Sequence, residues 1–194
     1  IVTPFVTESN LETMKEYICF LDKRFNNAEI VINDLGVLYY INKKKMKFKL
    51  TLGRLLNKQK RDPRLVQLIK SSKAGLNIKK TICDDEMTID FLKSKGITRI
   101  ELDNTKQGIN IVRGIKASLH YPNVFLNVSR YCMDGDRYCY RMKESCKREC
   151  NNEYYLLENC NKTLKCKMIG NHIEYKNSNL PNLEAINIDR IVYN

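Results

Sequence analysis

The feature that most constrains the fold is an alternation of short apolar runs with helical patterns along the first two thirds of the chain. We expect strands at the apolar runs, which are Ile1–Val6, Ala28–Asp34, Lys47–Gly53, Ile97–Asp103, Gly114–His120 and Val124–Arg130. Helical patterns lie at Leu11–Leu21, at Gly36–Asn42, after Pro63 and at Asp84–Gly96. Strands that alternate with helices are typical of a parallel βα protein.

Chain length limits how complete such a fold can be. A full (β/α)8 barrel takes about 250 residues, whereas this chain has 194. We therefore expect an α/β fold in which residues 1–130 form a partial or reduced (β/α) TIM-like barrel. A cysteine-rich metal loop at 131–150 and a short antiparallel β meander at 151–194 follow in the same domain. Because Ile1 opens within an apolar run, we also expect a missing upstream segment.

The charge balance bounds the class of partner. The chain has 34 Lys and Arg against 22 Asp and Glu, a formal net charge of +12. Such an excess can attract RNA or another anionic substrate, although lysines spread along the chain are more often a solvated surface. No apolar stretch approaches the roughly 20 residues that span a bilayer, and no signal peptide is recognisable. The expectation is a cytoplasmic protein without a membrane span and without DNA specificity.

Four of the eight cysteines lie close together within Arg130–Cys150, namely Cys132, Cys139, Cys146 and Cys150. Thiols in a reducing compartment stay reduced, and clustered ones usually bind metal or carry out chemistry. Zinc sites usually bring two close cysteine pairs, and here only Cys146 and Cys150 form one. Four cysteines on a longer loop suit an iron–sulfur cluster. Zinc, disulfides and unrelated thiols stay open as alternatives.

Polar side chains follow two neighbouring predicted strands. In parallel βα folds, function lies beyond the carboxyl ends of the strands, where Asn33, Asp34 and Arg54 occur. Asn33 and Asp34 can bind a substrate or cap the next helix. Arg54 can bind a carboxylate or phosphate, or it can pair with Asp34. These three are the candidate substrate-lining residues, and no catalytic residue is identified.

The segment Glu29–Leu65 carries a resemblance to a known family. Its sequence EIVINDLGVLYYINKKKMKFKLTLGRLLNKQKRDPRL closely resembles the part of the collagenase-like peptidase family (peptidase U-32 type) that reads N-D-x-G-V-L and then L-G-R-L-L-N-K-x-x-x-D-P-R. The run VFLNVSRYC…CKREC is similar to the cysteine region of that family. Within the family the chain is most similar to the iron–sulfur UbiU/UbiV-like branch.

The resemblance implies a [4Fe–4S] cluster as cofactor, while zinc stays the alternative that the cysteine spacing leaves open. Cys132, Cys146 and Cys150 match the spacing of the family best, and Cys139 is the nearest fourth ligand. Substitutes for that fourth ligand are Cys83, Cys160 and Cys166. Cys19, beside the apolar stripe of a predicted helix, is expected to be structural.

The resemblance also implies a function, which is oxygen-independent hydroxylation or modification of a cofactor precursor or RNA, with a possible partner subunit of the same family. The alternative is a metal-stabilised basic module that binds RNA or a partner subunit. Peptidase activity ranks third, because the Gly before the cysteine and the upstream Glu of the peptidase-type members are absent around Val128–Cys132.

Overall fold

A computed structural model describes residues 1–25, 27–69, 75–128, 154–158 and 164–194 of the chain. The helices are α1 (Leu11–Arg24), α2 (Leu35–Lys43), α3 (Val66–Ile69), α4 (Gly75–Ile78) and α5 (Glu86–Ser94). Short 3-10 turns lie at Glu8–Asn10, Pro63–Leu65 and Ile82–Asp84. None of the helices in this described part combines the length and the apolar character of a bilayer-crossing segment.

Five strands form a parallel sheet in the order β1-β2-β3-β4-β9. They are β1 (Glu29–Ile32), β2 (Lys49–Leu52), β3 (Ile97–Asp103), β4 (Lys116–Tyr121) and β9 (Arg190–Tyr193). Glu29 on one edge strand and Arg190 on the other form an ion pair of 2.6 Å, so the sheet curls into a half-barrel. The expected α/β class with a parallel sheet is confirmed.

The remaining four strands form a small antiparallel sheet in the order β5-β8-β7-β6. They are β5 (Asn123–Val128), β6 (Tyr155–Glu158), β7 (Lys165–Ile169) and β8 (His172–Lys176). The antiparallel meander expected late in the chain is therefore present. The last strand, β9, leaves the meander and pairs in parallel with β4.

The two faces of the parallel sheet differ in chemistry. The helix-facing side is apolar and forms the core, with Ile30, Ile32, Leu50, Leu52, Ile100, Leu102, Ala117 and Leu119. Alternate residues point to the concave side, and there they are polar and buried: Thr51, Arg99, Glu101, Asp103, Ser118 and His120. The concave face is therefore a row of hydrogen-bonded and charged side chains.

Local sequence signals explain where α2 and α5 begin and where α5 ends. The side chain of Asp34 accepts hydrogen bonds from the backbone N–H groups of Gly36 and Val37, which caps α2. Asp85 caps α5 in the same way through Thr88. Gly96 follows α5 with a φ of 80°, the left-handed conformation that glycine adopts most easily at a helix end.

Two expectations about the strands are wrong. Ile1–Val6 forms only an isolated bridge, between Val2 and Val31, because Pro4 has no N–H to continue the ladder. The run at Val124–Arg130 was expected to extend the parallel sheet, but β5 pairs antiparallel with β8. Pro122 alone separates β4 from β5 and interrupts the hydrogen-bonding pattern where the chain changes sheets.

Candidate functional site

A buried carboxylate organises the carboxyl ends of the parallel strands. Asp103, the last residue of β3, is fully buried. Its Oδ1 accepts hydrogen bonds from Arg54 Nη1 at 3.2 Å and from the backbone N–H of Phe125 at 3.0 Å. Its Oδ2 accepts one from Arg61 Nε at 2.7 Å. These charge-assisted bonds offset the removal of the carboxylate from water.

The two arginines on Asp103 differ in how many of their donors are used. Arg61 also donates to three backbone carbonyls, those of Gln59, Arg54 and Asn57. Arg54 makes a single side-chain hydrogen bond, and its Nε and second terminal nitrogen have no partner among the described residues. The Arg54 side chain is also 19% exposed. Arg61 is thus locked in place, whereas Arg54 keeps donors for an incoming anionic group.

An aromatic ring lies against both guanidinium groups. The central carbons of Arg54 and Arg61 are each 5.4 Å from the centroid of the Phe125 ring, a distance suited to cation–π attraction. The ring of His172 lies 5.6 Å from the same centroid. Phe125 and His172 belong to β5 and β8, so the small sheet covers the mouth of the half-barrel at this point.

Both histidines of the chain lie beside carboxylates in this region. His172 Nε2 is 3.5 Å from Glu174 Oε2, and His120 Nε2 is 3.2 Å from Glu101 Oε2. Neither Nε2 atom makes a hydrogen bond to the described residues, although both atoms are buried. Burial lowers the pKa of His172, and the nearby carboxylate of Glu174 opposes that shift only in part. His172 therefore stays neutral at physiological pH.

Hydrogen bonds to two other segments of the chain fix the side chain of Asn33. The side chain donates from Nδ2 to the carbonyl of Thr3 and accepts at Oδ1 from the backbone N–H of Leu55. A Cβ atom at Gly53 would lie 2.1 Å from Asn33 Oδ1, so this close approach requires glycine. Asn33 thus links the ends of β1 and β2.

Asp34 and Arg54 emerge at the same end of the sheet, since β1 and β2 are parallel neighbours as expected. They do not pair with each other. Asp34 caps α2 and also accepts from the backbone N–H of Val6 at 3.3 Å, while Arg54 pairs with Asp103. A substrate contact by Asn33, Asp34 or Arg54 stays a prediction, and Arg54 has two side-chain nitrogens without a partner among the described residues.

The candidate metal ligands fall largely outside the described residues. Cys132, Cys139, Cys146, Cys150 and the substitute Cys160 all lie there. The backbone of Cys83 belongs to the 3-10 turn Ile82–Asp84. Within the described ranges, no group of three or more His, Cys, Asp and Glu side chains is arranged to hold a metal ion.

Two cysteine side chains are described, and both make structural contacts. Cys166 on β7 is buried in a small apolar cluster with Val124 and Tyr175, and burial raises the pKa of its thiol. A thiol that resists ionisation is a poor metal ligand. Cys19 Sγ on α1 lies 3.1 Å from the hydroxyl of Tyr40 on α2.

The described residues that flank the segment with four cysteines lie at the same end of the small sheet. On one side is Val128 of β5, which is in register with His172. On the other side is Tyr154, followed by β6, whose first residue pairs with Met168 near the end of β7. Cys166 lies three residues before Ile169, the residue that pairs with His172. Three residues of a strand extend over about 10 Å. The geometry thus separates Cys166 from the attachment points of the cysteine segment.

Sequence reasoning missed the centre of this site. Asp103 ends a correctly predicted strand, and the rule that parallel βα proteins place function beyond strand ends applies to it as much as to Asp34. Phe125 and His172 had no such signal, because their position depends on how the small sheet packs against the half-barrel.

No protein-family model, no curated protein and no solved structure matches this chain. The resemblance to the U-32 type peptidase family stays an expectation from the motif residues.

Proposed function

We propose that this chain is a cytoplasmic iron–sulfur protein of the U-32 type that takes part in oxygen-independent hydroxylation or modification of a cofactor precursor or RNA. One observation supports the proposal more than any other. Arg54 and Arg61, both from the segment that carries the family resemblance, converge on Asp103 at the strand ends. Strand ends of this kind are where parallel βα proteins bind their substrates. By the same resemblance, we propose that the half-barrel is a reduced TIM-like barrel.

The proposed cofactor is a [4Fe–4S] cluster held by Cys132, Cys139, Cys146 and Cys150. Four cysteine thiolates are the usual donor set for such a cluster, and six Arg and Lys residues within Arg130–Cys150 favour the thiolate form. A bound cluster supplies one-electron transfer. The described residues on either side of this segment are Val128, which ends β5, and Tyr154, which directly precedes β6; β5 also carries Phe125, which lies over the two arginines.

The residues at the carboxyl ends of the parallel strands have separate roles in this proposal. Arg54 binds an anionic group of the substrate through its unused N–H groups. Arg61 and Asp103 hold Arg54 in place, and Phe125 excludes water from the ion pairs and so strengthens them. Neutral His172, next to Phe125, offers a nitrogen for proton transfer.

A second candidate is a metal-stabilised basic module, with zinc or a cluster in a structural role, that binds RNA or a partner subunit. The distribution of exposed cations favours it, because many of them have no carboxylate partner in the described part of the chain. A partner subunit of the same family is compatible with either candidate.

The proposal is tested by replacing Cys132, Cys146 and Cys150 by Ala one at a time and measuring iron and sulfide after anaerobic purification. We expect each replacement to lower the iron content and the sulfide content. A similar loss in Cys139→Ala would identify Cys139 as the fourth ligand. Cys166→Ala is the matched control, because that thiol is buried among apolar side chains and lies away from the cysteine segment. Unchanged iron in all three variants, or equal loss in the Cys166 control, would refute the ligand set.

A further inference from the structure

Exposed cations collect at the amino-terminal end of the parallel sheet. Lys49 and Lys116 are the first residues of β2 and β4, and parallel strands begin at the same end. That end is opposite to the Asp103 cluster. We define the basic rim as the nine exposed cations at this end, which are Lys43, Lys44, Lys45, Lys47, Lys49, Lys93, Lys95, Arg113 and Lys116.

Direct contacts make the basic rim continuous. Asn42 Nδ2 donates a hydrogen bond of 3.1 Å to the carbonyl of Lys95, which joins the end of α2 to the end of α5. A Cβ atom at Gly114 would lie 3.7 Å from Lys93 Nζ, so α5 also contacts the loop before β4. Lys93 and Lys116 line one open cavity of about 480 Å³. With packed helices about 10 Å apart, the rim extends over about 20 Å.

The basic rim carries an excess of positive charge. Glu29 and Asp189 lie at the same end of the sheet, and Asp189 also attracts Lys116, but these two carboxylates are already paired with Arg190 and Arg99. The sequence stretches that contain it, 42–49, 93–95 and 113–116, have no Asp or Glu. None of the nine cations forms an ion pair with a residue that the structure describes. Lysines in a last helical turn complement the helix dipole, but Lys47, Lys49 and Lys116 lie at strand starts, where that reason does not apply.

Exposed aromatic rings lie next to rim lysines on the two helices that end at the rim. Tyr39 on α2 is 66% exposed, and Lys43 Nζ lies 5.7 Å from its ring centroid. Phe91 on α5 is 53% exposed, and Lys95 Nζ lies 5.4 Å from its centroid. Proteins that bind single strands combine cations for the phosphates with aromatic rings on which the bases stack.

We propose that the basic rim binds a single strand of nucleic acid, with phosphates at the rim cations and bases stacked on Tyr39 and Phe91. A duplex fits less well, because its base faces are already stacked on one another and cannot reach the two rings. The inference deepens the second candidate function, the basic binding module. It depends on the charge distribution and not on the proposed metal centre.

The test measures fluorescence anisotropy of labelled oligouridine and oligodeoxythymidine strands of about 12 nucleotides, a length within the range of single-strand sites. The rim variant is Lys44→Glu with Lys45→Glu. The control, Lys80→Glu with Lys176→Glu, makes the same charge change at exposed lysines away from the rim. We expect the rim variant to bind at least about tenfold more weakly, and the slope of log K against log salt to fall by about 1.4, since each lost phosphate contact removes about 0.7. Tyr39→Ala and Phe91→Ala should each weaken binding about tenfold.

Tighter binding of the RNA strand would identify RNA as the ligand, and equal binding of both strands would indicate recognition without regard to the sugar. Equal losses in the rim and control variants would overturn the proposal, since net charge alone would then explain binding. Unchanged binding in both aromatic variants would also overturn the proposal. The same conclusion would follow if the protein bound phosphatidylserine vesicles through the rim and did not bind the strands. Melting curves verify folding, and Lys44→Gln with Lys45→Gln replaces the acidic pair if that pair unfolds. Iron content in the same samples reports separately on the metal centre.

Discussion

Arg54 and Asp103 are 49 positions apart in the chain, yet Arg54 Nη1 lies 3.2 Å from Asp103 Oδ1. Arg61 binds the other oxygen of the same fully buried carboxylate, with Nε at 2.7 Å from Oδ2. A buried carboxylate of this kind is stable only with its partners present, because the loss of one side leaves an uncompensated charge. The centre of the candidate site is therefore also a structural element.

Replacement of Asp103 by Asn should destabilise the fold by about 3–5 kcal/mol, because it leaves two arginines beside a neutral buried group. Urea unfolding measures the loss. Asp62→Asn serves as the control, since Asp62 pairs with Arg64, whose side chain is 72% exposed, and such a pair contributes less than about 1 kcal/mol. Similar costs for the two variants would contradict the structural role of Asp103.

Arg54 and Arg61 should respond differently to replacement by Met. Arg61→Met should lower the melting temperature more, because Arg61 also donates to three backbone carbonyls. Arg54→Met should change it less and instead reduce affinity for an anionic substrate. If Arg54→Met lowers the melting temperature by many degrees, and an added Asp103→Asn restores it, Arg54 is structural and the substrate role is wrong.

The sequence was sufficient to predict the local elements of this site but not its central pair. Helices α1, α2 and α5 and strands β1 to β4 follow from apolar periodicity and caps, which are local properties. The partner of Arg54 is not local. Asp34 was the nearer carboxylate in sequence, but its oxygens are occupied by backbone N–H groups at the start of α2 and by Val6.

Which of the two sheets a strand joins could not be predicted from the sequence either. The run that became β5 has the apolar character of a buried strand, and nothing within it distinguishes a parallel from an antiparallel neighbour. Its place next to β8 depends on the change of sheet at Pro122. The same holds for β9, whose pairing with β4 joins residues about 70 positions apart.

Protonation of His172 should lower the stability of the fold as the pH falls below 6.5, the ordinary pKa of a histidine. Burial lowers its pKa in the folded protein, so the unfolded chain takes up a proton at a higher pH and is favoured as the pH drops. The measurement is the urea midpoint at several pH values between 7.5 and 5.5. We expect a smaller decrease for His172→Gln than for the wild type, and an equal decrease would show that His172 does not contribute.

Gly53→Ala should destabilise the fold by about 1–3 kcal/mol, because the new Cβ would lie 2.1 Å from Asn33 Oδ1. The double variant Gly53→Ala with Asn33→Ala removes that overlap and should cost less than the sum of the two single changes. Thermal unfolding of the four proteins gives the coupling. Strict additivity would mean that the two residues do not contact each other.

Native mass spectrometry and absorption spectroscopy of the wild-type protein, purified without oxygen, show whether this chain holds the proposed iron–sulfur cluster. We expect a brown protein whose mass exceeds that of the polypeptide by about four irons and four sulfides, the content of a [4Fe–4S] cluster. A colourless protein that carries a single zinc ion, or no metal after reconstitution with iron and sulfide, would contradict it.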